Sequence, residues 1–173
     1  GGGGVGGRRR GGRLTARERV ERLLDEGAFG GCGMFGQHRS GDCGVGRWRI
    51  PGGGVVAGWG TVNGRAVFLF SEGFTVFGGS LAETHAAKVV KVQDMALKMR
   101  APIIGIFDAG GARIQECVAA LGGSGEVFRR NVMASGVIPQ ISVIMGPCAG
   151  SDVSSPAMTD SLFMSCDTPY MFV

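Results

Sequence analysis

Ile103-Ile104-Gly105-Ile106-Phe107 leads directly into Asp108-Ala109-Gly110-Gly111-Ala112-Arg113-Ile114-Gln115-Glu116, and these residues carry the strongest signal for the fold. The first part is a short apolar run rich in β-branched residues, which predicts a buried strand. Residues 112–116 lack glycine and proline and can open a helix. Glycine suits the turn between them because it tolerates positive φ and lets a ligand approach the main chain. The free N–H groups of such a turn and the positive field of the helix N-terminus can stabilise an oxyanion. The alternative is a tight turn with no ligand, since such turns are common.

A second unit of the same kind follows along the chain. Ile141-Ser142-Val143-Ile144-Met145 predicts another buried strand, and Gly146-Pro147-Cys148-Ala149-Gly150-Ser151 predicts a turn of small residues. Two strand–turn–helix units in succession indicate parallel strands with crossover helices. If the strands are neighbours, both turns face one crevice, where α/β sheets bind ligands. One N–H donor from each turn could then bind the same oxygen atom. Such a pair of donors suits a thioester whose carbonyl group becomes an enolate.

The segments before this stretch predict a hairpin and two helices. Asn63-Gly64 separates Val55–Val62 from the apolar residues 66–70, which is a strong hairpin signal. Thr15 and Glu18 form a capping box that predicts a helix over residues 16–26. Ser80 and Glu83 form a second capping box ahead of a helix with a regular apolar face.

Composition places the chain among globular proteins. It has 173 residues, 44% hydrophobic and 18% charged, and a net charge of +4. The positive excess is local, because seven arginines precede residue 23: Arg8, Arg9, Arg10, Arg13, Arg17, Arg19 and Arg22. We interpret this run as a solvated charge run rather than an anion-binding tail. We expect residues 1–13 to be a disordered, basic, Gly-rich tail and residues 14–173 to form one domain.

Cysteine and histidine usage argues against metals and disulfides. The five cysteines are odd in number and include no C-x-x-C pair, and there are only two histidines, His38 and His85. We therefore expect no metal and a reducing compartment. No apolar run reaches the roughly 18 residues that a membrane span needs, so we expect no membrane segment.

Other catalytic chemistries fit the residues less well. The phosphate-binding Gly-Lys-Ser/Thr loop is absent, and Gly110-Gly111 lacks the third glycine of a dinucleotide fingerprint. Cys148 is better explained as a small core residue than as a nucleophile. Asp108 and Glu116 are open to two interpretations, as an acid and base or as capping and solvated groups.

Six sequence blocks together resemble the carboxyltransferase (β) subunits of propionyl-CoA carboxylase and related biotin-dependent acyl-CoA carboxylases. The blocks are Trp59-Gly60-Thr61-Val62-Asn63-Gly64-Arg65, Phe74-Thr75-Val76-Phe77-Gly78-Gly79-Ser80, Asp108 to Glu116, Asn131-Val132-Met133-Ala134-Ser135-Gly136-Val137-Ile138-Pro139-Gln140, Met145-Gly146-Pro147-Cys148-Ala149-Gly150 and Ser155-Pro156-Ala157-Met158-Thr159-Asp160. They stand in the order typical of that family, and the resemblance extends from Leu14 to Val173.

The resemblance implies an α/β, crotonase-like ββα spiral, here incomplete, and transfer of a carboxyl group from carboxybiotin to the α-carbon of an acyl-CoA such as propionyl-CoA. It implies that backbone N–H groups hold the thioester oxygen and that no side-chain base is needed, because biotin itself takes the α-proton. The catalytic residues implied are Gly110, Gly111, Ala112, Ala149 and Gly150. The substrate-binding residues implied are Phe77, Gly78, Gly79, Ser80 and Arg113.

The same resemblance implies partners and a compartment. Biotin is carried on a biotin carboxylase and biotin carrier α subunit, the β subunits form a homo-oligomer, and a coenzyme A thioester is the substrate. No metal, nucleic acid or membrane is implied. A bacterial-type protein is expected in the cytoplasm and a eukaryotic one in the mitochondrial matrix.

The chain also departs from the family pattern. Family subunits are roughly three times longer and have a second domain, so we expect this chain to be a fragment. Cys117 and Ser151 stand where glycine is usual, and Ser154 and Ser161 stand where Tyr and Phe are usual, which predicts vacated core sites. Two alternatives stay open: a fragment that only assembles with full-length subunits, and a crotonase-type hydratase or decarboxylase, for which Glu116 is the convenient acid.

Overall fold

The structure is a computed structural model that describes residues 2–37, 52–166 and 169–173. Among these residues, a seven-stranded sheet has the order β1-β2-β3-β4-β5-β6, and β7 also pairs with β5. The strands are β1 (Gly30–Cys32), β2 (Val55–Val62), β3 (Arg65–Glu72), β4 (Ile103–Ala109), β5 (Gln140–Ala149), β6 (Ser161–Met164) and β7 (Tyr170–Phe172). The α-helices are α1 (Gly2–Arg10), α2 (Ala16–Leu23), α3 (Glu83–Met99), α4 (Cys117–Ala134) and α5 (Ser151–Ala157).

The hairpin predicted at Asn63-Gly64 is confirmed. β2 and β3 pair antiparallel with Val62 opposite Arg65, and Asn63 and Gly64 have φ values of 50° and 76°. Positive φ at both residues is what a tight two-residue hairpin turn requires. The Asp25 carboxylate accepts the Asn63 N–H and the Gly64 N–H, each at 2.9 Å. This contact joins the segment after α2 to the hairpin.

The parallel arrangement of the two strand–turn–helix units is also confirmed. β4 pairs in parallel with β3 on one side and with β5 on the other. Helix α3 packs against the sheet and against α4, and its Val89 and Val92 share one core cluster with Phe70 and Phe107. The carboxyl ends of β4 and β5 therefore lie side by side at one edge of the sheet.

The N-terminal residues differ from the expected disordered tail. Residues 2–10 form α1, although this segment is rich in glycine. Arg8 donates two hydrogen bonds to the Asp108 carboxylate, at 2.5 and 3.0 Å, and its guanidinium lies 4.8 Å from the Phe74 ring centre. The order of this segment thus rests on contacts that are distant in sequence, which composition does not reveal.

One of the two predicted capping boxes forms. Thr15 and Glu18 cap α2 reciprocally, as predicted, although the helix ends at Leu23 rather than at residue 26. The second prediction is wrong, because Ala82 is the N-cap of α3 and makes no side-chain bond. Ser80 Oγ instead donates to the Phe77 carbonyl at 2.8 Å.

The helix predicted to open at Ala112 begins later. A short 3-10 turn covers Ile114–Glu116, and α4 starts at Cys117, whose φ is 45°. A non-glycine residue with this backbone interrupts the helix between the two segments. Glycine is the residue that the family resemblance leads us to expect at this position.

The expected vacated core sites are not in the core. Ser154 and Ser161 are both exposed on the described surface. Of the four substituted positions discussed above, only Ser151 has a buried hydroxyl, which has no hydrogen-bond partner among the described residues. The prediction of large aromatic vacancies at 154 and 161 is therefore wrong for this chain.

Candidate functional site

The two predicted turns meet at the carboxyl ends of β4 and β5. Gly111 has a φ of 96°, and a Cβ built on it would lie 3.0 Å from the Ala149 carbonyl oxygen. A side chain at Gly111 would therefore be strained and would press on the second turn. The structure thus brings together the residues that sequence reasoning assigned to one crevice.

Three of the five proposed backbone donors are already engaged within the chain. The Gly110 N–H donates to the Gly78 carbonyl and the Gly150 N–H donates to the Phe172 carbonyl, each at 3.0 Å. The Gly111 N–H donates to Asp152 Oδ2, also at 3.0 Å. No acceptor for the Ala112 N–H is found among the described residues. Within the described part of the chain, the Ala112 N–H is therefore available as a donor.

A third turn, over Phe77–Gly79, lies against the Gly110–Gly111 turn. A Cβ on Gly79 would lie 2.3 Å from the Asp108 carbonyl oxygen, and its φ is 74°. The next residue but one, Leu81, donates its N–H to the Gly111 carbonyl and accepts the Arg113 N–H, both at 2.9 Å. Gly79 is thus required for the close approach of these two backbones.

Arg113 holds this third turn in place. Its guanidinium donates to the Ser80 carbonyl at 3.1 Å and to Ser80 Oγ at 3.3 Å, and it lies 4.7 Å from the Phe77 ring centre. The residue is 2% exposed, and burial lowers the pKa of its guanidinium. Arg113 thus contacts the proposed substrate-binding residues Phe77 and Ser80 rather than solvent.

Glu116, the candidate acid, has two structural contacts. Its Oε1 accepts a hydrogen bond from Arg113 at 3.2 Å, and its Oε2 accepts the Glu83 N–H at the start of α3 at 2.9 Å. Both carboxyl oxygens are therefore occupied. This arrangement favours the interpretation of Glu116 as a capping group.

Asp108, the other candidate, is held by two arginines. Arg8 and Arg19 approach its Oδ2 at 2.5 and 2.7 Å, and its side chain is 1% exposed. A Cβ on Gly146 would collide with this carboxylate, because it would lie 2.0 Å from Oδ1. Asp108 is thus an ion-paired structural group behind the turn.

Sequence reasoning missed a buried ionisable cluster behind the crevice, formed by Glu72, His85 and Asp152. Burial raises the pKa of Glu72 to about 8 and that of Asp152 to about 8, and it lowers the pKa of His85 to about 4. His85 Nε2 lies 3.6 Å from Glu72 Oε1, and neither ring nitrogen of His85 has a hydrogen-bond partner. All three groups are therefore largely uncharged near neutral pH. No local motif marks them, since their contacts cross between elements.

The other reactive side chains offer no site of their own. Cys148 is buried, and burial raises the pKa of its thiol to about 12, which fits the predicted core role. Within the described residues, no group of three or more histidine, cysteine or acidic side chains is placed to hold a metal ion; His38 and Cys43 lie outside them. No helix of the described chain combines the length and apolar character needed to cross a membrane.

Comparison with known proteins identifies a family and close relatives. The model of the family called carboxyl transferase domain matches residues 8–173. The propionyl-CoA carboxylase beta chain of Cereibacter sphaeroides is 65% identical over 94% of this chain, and the methylmalonyl-CoA decarboxylase subunit alpha of Veillonella parvula is 56% identical over 94%. In both cases the match spans 32% of the relative.

Among solved structures, transcarboxylase 12S superposes with a TM-score of 0.94 at 44% identity, covering 98% of this chain and 33% of that one. That structure is described as a hexamer with hydrolysed methylmalonyl-coenzyme A bound. The likeness confirms the predicted α/β, crotonase-like spiral in incomplete form. The chain spans about a third of the length of the relatives it matches.

Proposed function

Because the chain belongs to the carboxyl transferase domain family, we propose that it is the acyl-CoA-binding part of a biotin-dependent carboxyltransferase. The substrate is propionyl-CoA or a similar acyl-CoA, which gains a carboxyl group at its α-carbon. The observation that carries this proposal is the meeting of the Gly110–Gly111 turn with Ala149 and Gly150 at the ends of two parallel strands. The 65% identity to a propionyl-CoA carboxylase beta chain supports the choice of substrate.

The turn amides supply the chemistry that this reaction needs from the protein. Removing the α-proton of a thioester places negative charge on its oxygen, and positioned N–H donors stabilise that charge. The Ala112 N–H has no acceptor among the described residues and can make this bond, and the neighbouring Gly111 N–H is bonded to Asp152. Asp108 is ion-paired and Glu116 accepts two hydrogen bonds, so the α-proton has to pass to a group outside this part of the protein.

The acyl-CoA is proposed to lie beside these donors, against Phe77, Gly78, Gly79 and Ser80. Arg113 is assigned the role of positioning this turn, because its guanidinium is buried against Phe77 and Ser80. Gly78 also accepts the Gly110 N–H. The Phe77–Gly79 turn and the oxyanion turn are therefore one rigid unit.

Biotin is the carboxyl donor implied by the family, and it needs donors for its own ureido oxygen. Among the described residues of the Gly110–Ala112 turn, Ala112 has the one N–H group without an acceptor, and it serves one oxygen. These residues do not fit a thioester and a biotin ring together, so we derive no step through biotin from this part. The biotin carboxylase and biotin carrier α subunit, and other copies of the β subunit, are proposed partners of the longer protein.

Decarboxylation is a second candidate, favoured by the 56% identity to a methylmalonyl-CoA decarboxylase subunit alpha. Loss of the carboxyl group from methylmalonyl-CoA leaves the same enolate, so the same donors serve both directions. Incubating the longer protein with methylmalonyl-CoA and no acyl-CoA acceptor separates the two. Steady release of carbon dioxide under these conditions would favour the decarboxylase.

Titration calorimetry of the 173-residue chain with propionyl-CoA tests the proposal. We expect saturable binding that is lost in Gly111→Val, because the branched side chain strains the turn and displaces the donors. Gly64→Val is the matched control, since Gly64 also has positive φ but lies in the hairpin with open space around it. Equal affinity of Gly111→Val and the unaltered chain would overturn the assignment.

The same chain, supplied with propionyl-CoA and carboxybiotin, should form no methylmalonyl-CoA. Binding without transfer is the expected pattern for a part that holds one of two reactants. Measurable carboxyl transfer by the 173-residue chain would contradict it.

A further inference from the structure

Asp152 occupies a donor that the proposed function assigns to the substrate. Its Oδ2 accepts the Gly111 N–H at 3.0 Å, and the residue is 3% exposed at the start of α5. A carboxyl oxygen and a thioester oxygen are acceptors of the same kind, so the two compete for one N–H group. This contact is buried, directly behind the Gly110–Gly111 turn.

We propose that Asp152 is an internal competitor for the acyl-CoA thioester oxygen, holding the Gly111 N–H in the free protein and yielding it when substrate binds. This inference rests on the proposed function, since it concerns the same donors. The neighbouring Ala112 N–H has no acceptor among the described residues. Substrate therefore meets one free donor and must displace Asp152 to reach the second, and Asp152 sets the affinity for acyl-CoA.

The surroundings of Asp152 allow it to leave the bond without meeting an unpaired charge. Glu72 on β3, His85 on α3 and the Cys148 thiol on β5 are the titratable groups around it. Burial and, to a smaller extent, the Glu72 carboxyl raise the pKa of Asp152 to about 8, against the lowering effects of His85 and of the hydrogen bond from the Gly111 N–H. The side chain is thus largely protonated at neutral pH. A neutral carboxyl does not repel a developing enolate, and its O–H can find a new acceptor.

There is also space beside the carboxyl. Asp152 borders a small cavity between the sheet and α4, lined also by Glu72, Leu81, Phe128 and Ser151. The Ser151 hydroxyl is buried there without a hydrogen-bond partner. If the Asp152 side chain rotates toward this cavity, the unpaired Ser151 hydroxyl is a candidate new partner for its carboxyl group.

The test measures the affinity of the 173-residue chain for propionyl-CoA by titration calorimetry. Asp152→Ala frees the Gly111 N–H, so we expect binding about tenfold tighter, the equivalent of one hydrogen bond. Asp152→Asn keeps an oxygen acceptor of the same size, so its affinity should stay within about twofold of the unaltered chain. Asp160→Ala is the matched control, because Asp160 Oδ2 accepts the Gln140 N–H away from the crevice. It should leave the affinity unchanged.

Nuclear magnetic resonance of the unaltered chain gives a second readout that needs no variant. Addition of propionyl-CoA should shift the Asp152 carboxyl carbon resonance together with the Gly111 amide resonance. If the unaltered chain binds but Asp152→Ala binds no more tightly, the inference is overturned and the proposed function stands. A bound state with an unmoved Asp152 resonance overturns it as well. If neither chain binds propionyl-CoA, the proposed function fails and the inference falls with it.

Discussion

Asp25 and Asp152 each accept a hydrogen bond from the backbone of a glycine-containing turn, yet their pKa values move in opposite directions. Hydrogen bonds from Thr61, Gly64 and Asn63 lower the pKa of Asp25, which borders solvent at the hairpin. Burial raises the pKa of Asp152 to about 8, although it accepts the Gly111 N–H. One backbone donor does not replace the hydration of a buried carboxylate. The hairpin turn is thus held by a charged carboxylate, and the Gly110–Gly111 turn by a carboxyl group whose charged form is disfavoured by burial.

The largest expected effect is the loss of stability on substituting Gly111 in the crevice turn, compared with Gly64 in the hairpin turn. Gly111→Val should lower the free energy of unfolding by about 4 kcal/mol, because it adds backbone strain to a contact with the Ala149 carbonyl. Gly64→Val, the same replacement in open space, should cost about 2 kcal/mol, since it adds backbone strain alone. Urea unfolding of both variants measures the difference. Similar losses at the two positions would show that packing against Ala149 contributes nothing.

The second effect concerns the pH dependence of the two carboxyls. Asp152 has a folded pKa above its unfolded value, so its contribution is present below about pH 4 and is lost as the pH rises toward 8. Asp152→Asn should therefore flatten the fall in stability between pH 6 and 8 by up to about 1.4 kcal/mol per pH unit. The pKa of Asp25 is lowered, so its contribution is lost only as the pH falls below about 4.

Asp25→Asn is consequently the control for that measurement. Its stability should change with pH as the unaltered chain does between pH 6 and 8, and differ only in acid. Chemical unfolding at a series of pH values follows both variants. A slope unchanged by Asp152→Asn would mean that Asp152 is charged in the folded chain at neutral pH.

A third, smaller effect compares two non-glycine residues with positive φ. Asn63 lies in the hairpin with φ 50°, and Cys117 lies at the start of α4 with φ 45° and ψ −126°. Asparagine tolerates the left-handed region, whereas the Cys117 backbone is one that glycine favours. Cys117→Gly should thus raise the free energy of unfolding by about 1 kcal/mol, while Asn63→Gly changes it little. A loss of stability in Cys117→Gly would show that the thiol contact with the Ile114 carbonyl matters more.

The smallest effect is expected at the surface. Ser154→Tyr combined with Ser161→Phe should leave the free energy of unfolding within about 0.5 kcal/mol of that of the unaltered chain, since both serines are exposed. Thermal unfolding of the double variant checks this. A clear stabilisation would restore the interpretation of these positions as vacated core sites.

Much of the fold was predictable because its signals are local. The Thr15–Glu18 capping box, the Asn63-Gly64 hairpin and the two apolar strands each depend on neighbouring residues. The second capping box failed for the opposite reason. The Glu83 N–H that it was to satisfy is bonded instead by Glu116, which lies 33 positions away in sequence.

The position of the candidate site could be predicted from the sequence. Which of its N–H groups lack an acceptor could not. The spacing of strands and glycine turns placed Gly111 beside Ala149. Whether an N–H group is free depends on side chains from other elements, such as Asp152, which is 41 positions from Gly111. The buried Glu72 and His85 were missed likewise, because burial of a titratable group has no local pattern.

The arginine pair on Asp108 has a consequence for the order of folding. Arg8 and Asp108 are 100 positions apart, so synthesis delivers the cation long before its partner. Closing such a long loop is entropically unfavourable, and contacts of this kind form late. Helix α1 therefore lacks its bond to Asp108 until β4 has been completed. Contacts that form late act mainly on the unfolding rate. This ion pair therefore slows unfolding and prolongs the lifetime of the native state, and it contributes little to the folding rate.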